Sequence, residues 1–115
     1  MKTSNTPPQE TIKDVIARGF RSLSQGNLDE ARGCCMAVLK QQPKNEQAHF
    51  LVGLIGLASN DREKAILAFS AVTDLNPGHV AAWAHLAKCQ AQCGNINLAD
   101  QALANAVKYE NGDIA

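Results

Sequence analysis

The chain has 115 residues, of which 45% are hydrophobic and 19% charged, and its formal net charge is zero. A neutral chain with no run or stripe of Lys and Arg is not expected to bind nucleic acid, because phosphate neutralisation requires clustered cations. No stretch reaches the ~18 consecutive apolar residues of a membrane span, so we expect no membrane segment. Residues 1–10 are polar and lack the apolar centre of a signal peptide, which predicts a cytoplasmic protein.

Turn residues divide the chain into six predicted helices. The first is predicted to start near Pro7, with Thr6 as its N-cap and Gln9 placed for a reciprocal capping contact, and to run to about residue 25. Residues 1–5 are expected to be disordered. Because the connections between helices are short, neighbouring helices are expected to be antiparallel. The other five helices are predicted at residues 28–41, 46–59, 62–75, 80–93 and 96–109.

The same features return every 34 residues along the chain. Small residues let two helices cross closely, larger residues one turn later fill the gap to the next unit, and prolines and Gly/Asn turns end the helices. This register predicts helix pairs that each touch mainly their neighbours, with a core shaped as a ribbon. The positions in register are Gly19, Gly53 and Ala87; Ala31, Ala65 and Ala99; Cys35, Phe69 and Leu103; Val38, Val72 and Ala106; Pro43 and Pro77; Gly26-Asn27, Asn60-Asp61 and Gly94-Asn95.

The period and these residue types resemble the tetratricopeptide repeat (TPR). In residues 46–79, Ala65, Phe69 and Pro77 match the family pattern, while His49 stands where the family has Trp; the next unit has Trp83 there. The resemblance implies an all-α fold of three antiparallel helix pairs stacked as a right-handed α-solenoid. It implies a single domain over residues 6–115, with repeats at about 12–45, 46–79 and 80–113.

The reactive side chains show no recognisable catalytic or metal-binding pattern. Cys34 and Cys35 lie on the second predicted helix and Cys89 and Cys93 on the fifth, a whole unit away, so they are not expected to converge as four zinc ligands or to form disulfides. His85 is the one histidine expected near a groove, and no Ser, Cys or carboxylate stands in a triad pattern with it. We therefore expect no catalytic residue, no metal and no cofactor, and a protein that is not an enzyme.

In the family, the first helix of each pair lines a concave groove, which implies a protein-binding surface here. Residues 50–57 are apolar on every face of the third helix, and such a helix is buried all round. The face left uncovered by its own pair and the next unit is thus expected to meet a partner segment with apolar anchors, or a second copy. Leu54 and Leu57 fit a groove or the core equally well. The predicted groove residues are the anchors Ile16, Phe20, Leu23, Phe50, Leu54 and Leu57 and the polar rim Lys13, Gln47, Lys88 and Gln92.

The residues at the groove positions argue against one class of partner. Family members that bind the acidic C-termini of heat-shock chaperones hold two carboxylates with Lys, Asn and Arg. This chain has Ile16, Phe20, Leu51, Ala81 and His85 at those positions. A carboxylate there would be desolvated without a cation, so we do not expect this ligand class.

The last predicted helix leaves two alternatives open. One of its sides has little charge, so either the natural protein continues past Ala115 or the end of the array meets another copy. We expect a homodimer or a larger assembly. The functional alternatives are a non-catalytic interaction module and an N-terminal regulatory or oligomerising domain of a larger bacterial enzyme, such as a sulfotransferase or a glycosyltransferase. The candidate self-contacts are Leu103 and Val107 at the array end, and Phe20, Phe50 and Leu54 in the groove.

Overall fold

The computed structural model describes residues 10–112, and in this range it forms six α-helices and no strand. The first helices of the three pairs begin 34 residues apart, as the register predicts. The expected all-α solenoid of helix pairs is thereby confirmed. In chain order the helices are α1 (Ile12–Ser24), α2 (Leu28–Gln41), α3 (Glu46–Ala58), α4 (Arg62–Leu75), α5 (Val80–Gln92) and α6 (Ile96–Glu110).

The predicted start of the first helix is wrong, because a capping box fixes it further along the chain. The Thr11 hydroxyl accepts from the backbone N–H of Asp14 at 3.1 Å, and the Asp14 carboxylate accepts from the backbone N–H of Thr11 at 3.2 Å. Two donors at the helix end are satisfied reciprocally, so α1 begins at residue 12. The predicted cap Thr6, its partner Gln9 and residues 1–5 lie outside the described residues.

The turn inside each helix pair contains one residue with a positive φ angle. Gly26, Asn60 and Gly94 have positive φ angles of 79°, 60° and 83°. A left-handed residue at this point lets the chain leave one helix and enter the next within a few residues. Asn27 and Asp61 then cap α2 and α4 by accepting from the backbone N–H three residues ahead.

The core runs as a ribbon along the stack, with Phe69 as its largest fully buried side chain. Close helix crossings depend on glycine. A Cβ added at Gly53 would lie 2.6 Å from the Phe69 ring, and one added at Gly19 would lie 2.6 Å from the Leu51 side chain. At both positions a Cβ would force the neighbouring side chain to shift, so the two glycines permit the close approach of the helices.

The molecule is elongated, with extents of 61 × 33 × 21 Å and a radius of gyration of 16.3 Å. A compact domain of this length would have a radius of gyration of about 13 Å. The first helices α1 and α3 contact each other directly, whereas an open cleft separates α2 from α4. The first helices therefore form the inner, concave face. Within residues 10–112 no helix combines the length and the apolar character that a membrane crossing needs.

Candidate partner-binding site

The predicted groove residues lie on the first helices of the pairs, but their exposure varies. Ile16 is only 6% exposed and packs with Val38 and Ala48, so its side chain belongs to the core and not to the groove. The rim residues Lys13, Gln47, Lys88 and Gln92 are all exposed. The other apolar anchors are half-buried and pack partly on the core: Phe20, Leu23, Phe50, Leu54 and Leu57.

The side of α3 that was expected to face a partner is only partly open, because Phe50, Leu54 and Leu57 are half-buried. As the middle helix, α3 contacts α1, α2 and α4, and its side chains also pack on the α4–α5 core. Its apolar residues are consequently buried or half-buried from within the chain. Among residues 10–112 the large exposed apolar side chains lie on α2, α4 and α6: Met36, Leu67, Leu75, Ile96, Leu98, Leu103 and Val107.

An aromatic cluster around the fully buried Phe69 joins the middle and last pairs. The Phe50 ring lies edge-on to Phe69, with centroids 5.5 Å apart, and 4.8 Å from His79. The His85 ring stacks on Phe69 at 4.9 Å with an interplanar angle of 13°. Burial lowers the pKa of His85, and the nearby Lys88 adds to the effect. The neutral form of His85 is therefore favoured, in which one ring nitrogen donates and the other accepts a hydrogen bond.

Three predicted groove residues, Leu57, Lys88 and Gln92, meet in one pocket of about 260 Å³ between α3 and α5. Leu57 supplies an apolar wall, and the Lys88 ammonium supplies hydrogen-bond donors at the rim. Such a pocket can hold one apolar side chain while donating to carbonyls of the segment that carries it. Phe20 and Leu23 lie in the neighbouring unit and do not reach this pocket.

Two further pocket residues, Asn60 and Arg62, were not predicted. They lie at the α3–α4 turn and at the start of α4, outside the positions that line the groove in the family. The Arg62 guanidinium donates to the Gln92 side-chain oxygen at 2.9 Å, which ties the turn to α5. The signal for Arg62 in the sequence is its place directly after the capping residue Asp61, close to the mouth of the groove.

The cysteines are all free thiols in the structure. Cys34, Cys35 and Cys89 are buried, and Cys93 is exposed. Burial raises the pKa of the Cys35 thiol to about 12, so it is fully protonated at neutral pH. A buried protonated thiol packs as a small apolar side chain. In the part of the chain that the structure describes, no three His, Cys, Asp or Glu residues are grouped to hold a metal ion.

A second concave surface, the outer cleft, lies between α2 and α4 with α3 as its floor. It has a volume of about 420 Å³ and an almost wholly apolar lining. Met36 and Leu67 form its walls and are 72% and 73% exposed. The cleft was not predicted, since the expected binding surface was confined to the first helices.

Two small side chains account for the outer cleft. His49 and Cys35 both line it, and they occupy the positions that Trp83 and Phe69 occupy one repeat later. At that later junction Trp83 packs against the core cluster that contains Phe69. Side chains smaller than those of the next repeat therefore leave the first junction open on its outer side.

Two family profiles, each described as a tetratricopeptide repeat, match the chain over residues 21–78 and 56–115. No match was found among curated protein sequences. The fold is similar to that of a crystal structure of MamA, with a TM-score of 0.84 and 16% identity over 90% of this chain and 60% of that chain. It is similar to residues 41 to the end of MamA from Desulfovibrio magneticus RS-1, with a TM-score of 0.80 and 20% identity over 92% of this chain and 60% of that one.

An enzyme also contains a similar array. A mutant O-GlcNAc transferase of Thermobaculum terrenum matches with a TM-score of 0.79 and 20% identity, over 85% of this chain and 19% of that chain. At these identities the likeness is one of fold alone. The chain spans 60% or less of the length of each of these proteins.

Proposed function

The chain belongs to the tetratricopeptide repeat family, and from that premise we propose that it is a non-catalytic module that binds a protein or peptide segment through its concave face. Repeats of this family generally mediate protein–protein interactions. The observation that carries the proposal is the convergence of Leu57, Lys88 and Gln92, from two different first helices, in one pocket. Four free thiols fit a reducing compartment, so the proposal places the module in the cytoplasm.

The chemistry of the pocket defines the kind of segment that fits. One apolar side chain of the partner enters between Leu57 and the neutral His85 ring, where its desolvation supplies most of the affinity. Lys88, Arg62 and Gln92 surround it with polar groups that set register and association rate. The partner is thus an extended or helical segment with apolar anchors, or a second copy of the chain.

We do not propose acidic C-termini like those of heat-shock chaperones as ligands. Two of the positions that would have to clamp their carboxylates, Ile16 and Leu51, are 6% and 1% exposed. Neither side chain can reach a ligand or donate a hydrogen bond. A terminal carboxylate placed there would lose water and gain no partner.

The test is a selection of peptides from a displayed random library on the immobilised chain, followed by affinity measurements. Selected peptides should share spaced apolar residues and should lose about tenfold or more in affinity for Lys88→Glu, because the substitution reverses the rim charge. Lys40→Glu makes the same charge change at an exposed α2 position outside the pocket and serves as the matched control. Leu57→Ala should also weaken binding in a protein that still melts cooperatively. Equal affinities across all these variants would refute the concave site.

The likeness to one part of a longer enzyme chain supports a second candidate role. The match to the transferase covers 19% of that protein, so a similar array occurs as one part of an enzyme. The alternative is a regulatory or oligomerising domain at the N-terminal side of a larger bacterial enzyme. The length of the natural open reading frame distinguishes this alternative from an independent module.

A further inference from the structure

The outer side of α6 carries an exposed stripe, which we call the α6 stripe. Its residues lie three, four, seven, eight and eleven positions after the first, so they lie on one side of the helix. Leu103 and Val107, at its centre, are 54% and 49% exposed. The stripe lines a shallow groove of about 630 Å³ and consists of Asp100, Leu103, Ala104, Val107, Lys108 and Asn111.

The repeat register identifies this stripe as a packing surface. Leu103 stands where the earlier units have Phe69 and Cys35, which are 0% and 3% exposed. Val107 stands where α4 has Thr73, which is 5% exposed. In both earlier units the following helix pair covers the positions of Leu103 and Val107 wholly or in part, whereas Met36, at the position of Ala104, is 72% exposed. Within residues 10–112, α6 therefore presents the surface that the array uses between units, with no unit packed on it.

The other end of the array does not complement the stripe. The α3 residues that pack on α2 are apolar, and Leu51 and Ile55 among them are 1% and 2% exposed. The corresponding positions on α1 are Ala17 and Arg21, with Asp14 one turn before them. Stacking α1 of one copy on α6 of another would bury these charges, at a cost that an apolar stripe cannot offset. Head-to-tail association is therefore disfavoured.

The stripe does complement itself. Asp100 and Lys108 lie four residues, about one helical turn, to either side of Ala104. If two α6 helices cross antiparallel about a two-fold axis at Ala104, Asp100 of each copy meets Lys108 of the other. The small Ala104 side chain permits a close crossing, with Leu103 and Val107 packed around it.

We propose that two copies of this chain pair through their α6 stripes, antiparallel about a two-fold axis at Ala104, with Asp100 of one copy against Lys108 of the other. The occupant of the stripe is a second copy because its charges are arranged symmetrically about its own centre. One helical stripe from each copy is a small interface, so the dissociation constant is on the order of micromolar.

Charge reversal tests the pairing directly. Sedimentation velocity of the 115-residue chain should shift from one-chain to two-chain mass as concentration rises through the micromolar range. Asp100→Lys opposes two lysines in each contact and should weaken association about tenfold or more, a fold-change typical of an unfavourable charge contact. The double variant Asp100→Lys with Lys108→Asp should restore it. Asp74→Lys makes the same charge change at an exposed α4 position outside the α6 stripe and should leave association unchanged. Circular dichroism verifies that each variant is folded.

The position of the axis has its own test. In a Cys93→Ser background, Ala104→Cys places one thiol per copy at the axis and should yield a disulfide-linked dimer under mild oxidation, whereas Lys40→Cys should not. One-chain mass at every concentration overturns the proposal, and so does association that Asp100→Lys does not weaken. Masses beyond two chains would indicate head-to-tail stacking and overturn it equally. Peptide binding at the concave pocket involves another face, so it should be unaffected by Asp100→Lys.

Discussion

At the scale of single residues, equivalent positions in successive repeats can make the same hydrogen bond with side chains of different size. His49 and Trp83 occupy the same register position, and each bonds the carbonyl of the proline six residues before it. His49 Nε2 lies 2.8 Å from the Pro43 oxygen, and Trp83 Nε1 lies 2.6 Å from the Pro77 oxygen. Because a carbonyl only accepts, Nε2 of His49 carries the proton. The smaller ring keeps the hydrogen bond and leaves the outer cleft open.

The substitution His49→Trp should therefore stabilise the protein. The indole N–H can donate to the Pro43 carbonyl as it does at Pro77, and the larger ring fills part of the apolar cleft. Filling a cavity of this kind typically adds about 0.5–2 kcal/mol to the free energy of unfolding. Urea denaturation of both proteins measures the change.

His49→Ala is the matched control for this substitution. It removes the hydrogen bond and enlarges the cleft, so it should lower the free energy of unfolding. A lower stability for His49→Trp would mean that the cleft walls, Met36 and Leu67 among them, do not accept the indole.

At the scale of helices, glycine has two opposite effects in this chain. Gly53 is at the α3–α4 crossing, where a Cβ would lie 2.6 Å from the Phe69 ring. Gly33 lies inside α2 with no atom within 4 Å of an added Cβ. The first glycine is required by packing, whereas the second only weakens its helix.

The two alanine substitutions should accordingly change stability in opposite directions. Gly33→Ala should raise the free energy of unfolding by about 1 kcal/mol through helix propensity. Gly53→Ala should lower it by about 1–3 kcal/mol, since overpacking displaces Phe69. Thermal unfolding, monitored by circular dichroism, measures the direction of both changes in stability. Equal stability of the Gly53→Ala and Gly33→Ala proteins would contradict the close α3–α4 crossing.

At the scale of the whole molecule, the elongated array makes stability depend on position. Each helix pair packs mainly on its neighbours, so the middle pair is covered on two sides and the first pair on one. Local opening is easiest where fewest apolar contacts have to break.

Hydrogen exchange should consequently be slowest in α3 and α4 and faster in α1. Mass spectrometry of peptides from dilute protein measures the order without interference from association. Equal protection in α1 and α3 would show that the array opens only as one cooperative unit.

Much of the fold followed from the sequence because its determinants are local. The register of small residues, turn residues and prolines located α2 and α4 to the residue and placed the left-handed residues at Gly26, Asn60 and Gly94. The ends of α1, α3, α5 and α6 differ from the predicted ones by one residue. The start of α1 was misplaced by more, because the capping box of Thr11 and Asp14 sets it.

Only part of the candidate site could be predicted from the sequence, because the burial of a side chain depends on neighbours that are distant in sequence. Periodicity shows that Ile16 and Leu57 lie on first helices, but only packing against Val38 and Ala48 places Ile16 in the core while Leu57 lines a pocket. The same holds for the outer cleft, whose volume depends on the sizes of side chains from three helices. The sequence by itself determined the helices, the turns inside each pair and the family, which depend on residues a few positions apart. The tertiary structure decided which apolar surfaces stay open, because that depends on how closely the helices cross and on what each side chain meets there.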